Sequence, residues 1–180
     1  MPAKPQVACG GRLMNQIRKR WAALVLLTTC LSSLGSYLPA RPPYLVAYPQ
    51  DYRRWVHVKS ALIGPQNPSY ARYGGLHHIY ANEPATAGYR TGQFADGSVI
   101  VFDLLETRES SGTTVEGPRR FIDVMIKDSR QYAETGGWGF EEFKGDSPTQ
   151  RVLTAQAQTA CYSCHKAVKG HDFVFSAFRQ

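Results

Sequence analysis

The amino-acid sequence predicts an α+β fold, mainly an antiparallel β-sheet with a few packed helices. Three observations point there. Five β-rich segments fall between residues 57 and 144 without regular helical alternation, unlike a βαβ pattern. Gly, Pro and Asp-Gly punctuation separates them. The strongest helix-forming stretch, Arg151 to Ala160, comes only after the strands. At 180 residues the chain suits one ordinary domain plus a leader. Its 43% hydrophobic and 19% charged content marks a globular protein.

The elements follow in order. Gln50 to Trp55 reads as a short helix with Asp51 in its first turn, where the helix dipole favours an acid. His57 to Ile63 is β-like and stops at Gly64-Pro65. Residues 65–75 are rich in Pro, Asn, Ser and Gly and read as a loop. Leu76 to Tyr80 is a second strand, and Glu83 to Tyr89 a helical turn ending near Gly92. Asp96-Gly97 marks a tight turn before Ser98 to Leu105, the clearest strand of all. Glu109 to Gly117 reads as a polar loop. Arg119 to Lys127 is a fourth strand and Trp138 to Lys144 a fifth.

The formal charge of +7 is unevenly placed. Residues 1–40 hold Lys4, Arg12, Arg18, Lys19 and Arg20 and no acid; the rest carries only +2. No basic stripe marks the body of the chain for nucleic acid. The leader has a positive stretch from Met14 to Arg20, an apolar run, then Leu38-Pro39-Ala40, which is the pattern of a secretory signal peptide. Its apolar run is too short and too polar at its end for stable membrane insertion. The expected division is a signal peptide over 1–40, with Met14 as an alternative start, and a haem domain over 41–180. Export to the periplasm follows. A lipid anchor through Cys30 is the secondary reading.

The chemistry lies near the end of the chain. Cys161-Tyr162-Ser163-Cys164-His165 is C-x-x-C-H, the attachment motif of c-type haem. Each thiol forms a thioether with a vinyl group, and the adjacent His supplies the axial iron ligand. One covalent haem c per chain is expected, with His165 as the metal ligand. A zinc half-site from the same cysteines with His165 or His171 would need two further ligands. Candidates for the sixth iron position are Met125, His57, His77 and His78. Met125 reads as ordinary core. His77 and His78 are adjacent on a strand and must face opposite sides. Glu141-Glu142 reads as a solvated strand edge. Hydrolase, phosphate-loop and zinc-protease motifs are absent from the sequence.

Several segments together resemble the cytochrome P-460 and cytochrome c′-beta family. They are Tyr48 to Trp55, Tyr89 to Gly97, Val99 to Phe102, Val124 to Asp128, Gly137 to Phe140, the C-x-x-C-H motif, and Phe173 to Ser176. The resemblance implies a mostly antiparallel β fold, a homodimer, and a five-coordinate haem with an open distal face. Cytochromes P-460 that oxidise hydroxylamine carry a haem-crosslinked Lys after the Asp-Gly turn. That position here is Phe102. They also use a carboxylate in the segment leading to the haem motif, and Arg151 to Ala160 contains none. Both departures point to the c′-beta type, whose distal pocket is capped by Phe side chains. Phe102 and Tyr73 are the expected cap.

An apolar cap offers bound dioxygen no hydrogen bond, whereas NO and CO depend less on one. The expected function is binding of small gases, chiefly NO and also CO. The redox partner is not identifiable from the sequence. Two alternatives remain: a hydroxylamine- or NO-oxidising enzyme of the P-460 type, and a six-coordinate electron-transfer cytochrome c.

Overall fold

The chain was analysed as a computed structural model that describes residues 45–179. The expected leader, Met14 and Cys30 lie outside the described residues. Among those described, no helix is long and apolar enough to cross a membrane.

The architecture is a five-stranded antiparallel sheet with its strands in sequence order. They are β1 (Val56–Ile63), β2 (Gly75–Ala81), β3 (Val99–Ser110), β4 (Thr113–Lys127) and β5 (Trp138–Lys144). The expected α+β class holds. One strand boundary does not. Residues 109–117 are not a loop but the outer end of a long β3–β4 hairpin, in which Ser110 pairs with Thr113. Ser111 and Gly112 turn it with φ of 51° and 76°. Positive φ at both turn residues matches the twist of the flanking strands. The polar composition there reflects solvent around an outer hairpin, since residues 106–110 and 113–116 are all exposed.

Helices fill the connections. A single turn, α1 (Tyr70–Tyr73), lies inside the segment expected as a loop. Helix α2 (Glu83–Thr91) begins where the Asn82 side chain accepts from the Ala85 amide and stops at Gly92, φ 75°. Helix α3 (Ala155–His165) begins where Thr154 accepts from the Ala157 amide. It therefore starts later than expected and runs through the haem motif, while Arg151 makes a β-bridge with Phe143. Near the front of the chain only a 3-10 turn, Tyr52–Arg54, forms. Asp51 is left-handed and makes no capping bond, so the expected first-turn role fails.

The pleat divides the sheet into two apolar faces. The front face buries Ile79, Ala81, Ile100, Met125, Trp138 and Phe140 against Phe173 and Val174, with Cys161 and Tyr162 packed on it. The back face buries Val101, Ile122, Val124 and Phe143 beneath Val46 and Tyr52. Asp103 is fully buried within that back layer. It accepts from the Tyr52 hydroxyl at 2.8 Å, Arg53 Nε at 3.0 Å and Arg119 Nε at 2.6 Å.

Candidate haem site

Helix α3 carries the motif at its C-terminal end, facing β5. Cys161 and Cys164 are three apart and His165 four beyond Cys161, so all three share one side of the helix. Both thiols are free. His165 lies 5.1 Å from the Phe140 ring and 4.9 Å from the Phe175 ring, centre to centre. Its Nδ1 is 2.7 Å from the Phe173 carbonyl oxygen. A carbonyl can only accept, so Nδ1 holds the proton and Nε2 is left as the coordinating atom. Burial moves the imidazole pKa down, with the Phe173 bond opposing it. A neutral imidazole is the form that ligates a metal.

The carbonyl that orients His165 sits on a strained turn. Asp172 and Phe173 are both left-handed, with φ of 48° and 65°. Asp172 is pinned on several sides. Its carboxylate accepts from Lys127 Nζ at 2.6 Å and the Phe94 amide at 3.0 Å, and its carbonyl accepts from Trp138 Nε1 at 2.9 Å. The Phe173 ring occupies space that a side chain at Gly136 would need, since a Cβ there would fall 2.4 Å from the ring.

The structure brings together the two residues expected as a cap. Tyr73 and Phe102 meet edge to face with centroids 5.9 Å apart, and Phe121 lies 6.1 Å from Tyr73. Phe102 packs on the same front-face core as Cys161. Of the sixth-ligand candidates, His57 and His78 belong to the back face, where the Ser60 hydroxyl links them at 2.8 Å and 2.6 Å. Met125 and His77 are on the front face. Met125 is core, as expected. His77 is buried and stacks on Phe102 at 4.6 Å, and its Nδ1 has no hydrogen-bond partner. Burial, then the charges of Lys59 and His78, lower its pKa to about 4.

One expectation is overturned. Glu141 and Glu142 are not a solvated edge; both are buried. They face apart, as strand neighbours must. Glu141 turns to the back and accepts from Arg151 at 2.9 Å. Glu142 turns to the front and pairs with Arg72. Strand register then places Ile79, Phe102, Asp123 and Glu142 in one row across β2 to β5. Residues directly opposite on antiparallel strands point to one face with Cβ atoms ~5 Å apart. Asp123 is therefore one step from Phe102 on one side and from Glu142 on the other. Burial, then repulsion from Glu142, raises the Asp123 pKa well above the ordinary carboxyl value. Burial, then the Asp123 charge, pushes the Cys161 thiol up to about 11.

Arg72, Asp123 and Glu142 were missed by the sequence reading. The signal lay in the alternation Phe121-x-Asp123-x-Met125, which sets an acid on an apolar strand face. Adjacent glutamates in a two-faced strand also force one to each side.

Free thiols, a neutral imidazole fixed by its second nitrogen, and aromatic walls are chemically suited to a haem held by Cys161, Cys164 and His165. Among the described residues no three His, Cys, Asp or Glu side chains gather as a metal cluster. Residues 49–176 match the family model described as Cytochrome P460. No curated protein matches the chain.

Proposed function

Because the chain belongs to the cytochrome P460 family and so is a haem protein of the P460/c′-beta type, we propose that it is an exported, gas-binding member of the c′-beta kind. One haem c per chain is attached through Cys161 and Cys164, with His165 as the only protein ligand to iron. Bound there, the haem would supply an iron able to take up NO or CO. The protein works in the periplasm as a homodimer, and a redox partner keeps its iron ferrous.

The observation that carries this reading is the place of Phe102. It stands where a crosslinking Lys would be and meets Tyr73 on the front face. Neither side chain offers the amine needed for that crosslink. His165 is held from behind by the Phe173 carbonyl, which fixes the imidazole plane. The rings of Phe102 and Tyr73 would crowd a ligand bound on their side of the haem.

A second reading, oxidation of hydroxylamine or NO, gains from Asp123. A carboxyl beside Phe102 offers the proton acceptor that such chemistry needs.

The test is the optical spectrum of the purified protein with its covalent haem. Five-coordinate, high-spin ferrous iron that takes up NO and CO is expected, and Phe102→Ala should speed ligand entry. A six-coordinate, low-spin ferrous spectrum would defeat this reading in favour of an electron carrier. A strongly red-shifted Soret band would reveal a haem crosslink and favour the oxidase.

A further inference from the structure

A pair of imidazoles lies on the back of the sheet, the face opposite the haem motif. Strand β1 is an edge strand, and its pairing with β2 slips between His57 and Lys59. Residues three apart on a regular strand point to opposite faces. The extra residue in this bulge turns His57 onto the face of Ser60. Bulges that re-aim a side chain are found at sheet edges and beside functional sites. Here the bulge sets His57 and Ser60 beside His78, which pairs with Ser60 directly across the ladder.

Three donor atoms converge there. Ser60 Oγ lies 2.8 Å from His57 Nε2 and 2.6 Å from His78 Nδ1. A hydroxyl has one proton, so it donates to one of these nitrogens and accepts from the other. On the far side of the His78 ring, Nε2 makes no hydrogen bond but lies 2.8 Å from the carboxylate of Glu116 on the outer hairpin. That negative charge favours the His78 proton on Nε2 and leaves the Nδ1 lone pair facing Ser60. His57, Ser60 and Glu116 are exposed, so the cluster is open to solvent. Arg53 is the nearby cation, and it is met by both Asp103 at 3.0 Å and Glu116 at 3.4 Å.

We propose that His57 Nε2 and His78 Nδ1, with the Ser60 hydroxyl between them, form a surface site for a divalent transition-metal ion, copper(II) above all. Two imidazole nitrogens and a hydroxyl oxygen, completed by water, make the mixed nitrogen and oxygen set that copper(II) takes in tetragonal geometry. Divalent copper also binds such donors more tightly than nickel or zinc. The set is too small for a closed zinc site, which takes four protein ligands. Glu116 is a positioning residue. A carboxylate on the far nitrogen of a ligating histidine fixes the ring and makes it a better donor. The site lies across the sheet from Cys161, Cys164 and His165, so it stands whether or not the gas-binding reading does.

The test is equilibrium dialysis of the full haem-loaded protein, free of any affinity tag, against copper sulfate. The wild type should hold one more copper ion per chain than the His57→Ala/His78→Ala double variant. The paramagnetic resonance of that extra ion should show splitting from two imidazole nitrogens. Either single variant should weaken it roughly a hundredfold or more, and Glu116→Gln, which touches no metal, roughly tenfold. Zinc sulfate should bind the same site more weakly than copper sulfate. An unchanged haem spectrum and denaturation midpoint would show that each variant is folded. Equal copper in the wild type and the folded double variant would mean adventitious binding elsewhere and would overturn the proposal. So would a resonance with one imidazole nitrogen or none. An affinity indifferent to Glu116→Gln would overturn the role given to Glu116.

Discussion

The two faces of this sheet solve the same problem in opposite ways. Each sets an aspartate among apolar side chains, Asp103 fully buried and Asp123 partly so. On the back, Asp103 has Tyr52, Arg53 and Arg119 as donors, and the turn that supplies two of them is packed on the same layer. Its charge is met by two guanidinium groups, although Arg53 also reaches Glu116 and Arg119 also reaches Asp146. On the front, Asp123 faces Glu142, and the one nearby guanidinium is shared and half exposed. His77 is buried there with a nitrogen unpaired. Stability alone favours the back-face arrangement, because an unpaired buried polar group costs free energy. The front face keeps its under-compensated groups close to Cys161, where Asp123 helps to raise the thiol pKa.

The comparison breaks most directly at the back. Asp103→Leu should destabilise the protein by about 3–5 kcal/mol, since the largely buried Arg119 keeps only its outer partner Asp146 and the Tyr52 hydroxyl loses its acceptor. The midpoint and slope of chemical denaturation would show it. The haem spectrum and CO affinity of the surviving folded protein should match the wild type. A changed CO affinity would mean that the two faces are not independent.

The sequence made these two faces only partly legible. Alternation and turn chemistry revealed all five strands, because Ser98 to Leu105 and Arg119 to Lys127 carry strong β-formers between clear breaks. The outer hairpin escaped, because strands exposed on both sides lose the apolar alternation that identifies them. The motif residues Cys161, Cys164 and His165 were legible because they are contiguous. Arg72, Asp123 and Glu142 were not, because they come from three elements and converge only through register. A one-residue slip of β4 would send Asp123 to the back face. His165 was visible in the sequence, but its support from Lys127 through Asp172 was not, being a contact across 45 residues.

His77 sharpens the comparison through pH. Its pKa falls from 6.5 to about 4 on burial. The unfolded chain therefore binds more protons than the folded protein between these values. The contribution of neutral His77 is complete above about pH 6.5 and is lost as pH falls toward about 4. Wild-type stability should drop by up to about 3 kcal/mol over that window relative to His77→Leu, which cannot titrate. Denaturation of the two proteins at stepped pH gives the difference. Asp123 has the opposite sign, as its raised pKa favours the folded state at low pH and that advantage fades as pH rises. Because both proteins carry Asp123, the subtraction removes it. Parallel curves would show that His77 is not held neutral, and the front face would lose one of its two under-compensated groups.

The smallest expected effect concerns the support of His165. Lys127 lies at the front-face end of β4 and grips Asp172 at 2.6 Å, so the sheet itself holds the turn that presents the Phe173 carbonyl. Two left-handed non-glycine residues in a row each cost about 1 kcal/mol or more and persist only where contacts enforce them. Asp172→Asn removes the charge that Lys127 binds and keeps the size of the side chain. The turn should relax, and the bond from His165 Nδ1 to Phe173 should lengthen or become heterogeneous. A weaker bond leaves the imidazole a poorer electron donor. In the haem-loaded protein the iron–histidine stretching frequency should then fall and broaden, and the reduction potential should rise. Stability should drop by about 1–2 kcal/mol, because an ion pair with both partners nearly buried is lost. Lys127→Met should produce the same spectral change from the other partner, and the double variant should add little to either single one. An unchanged stretching frequency in both variants, with the stability loss present, would show that this ion pair holds the fold alone and that the front face does not tune its own ligand.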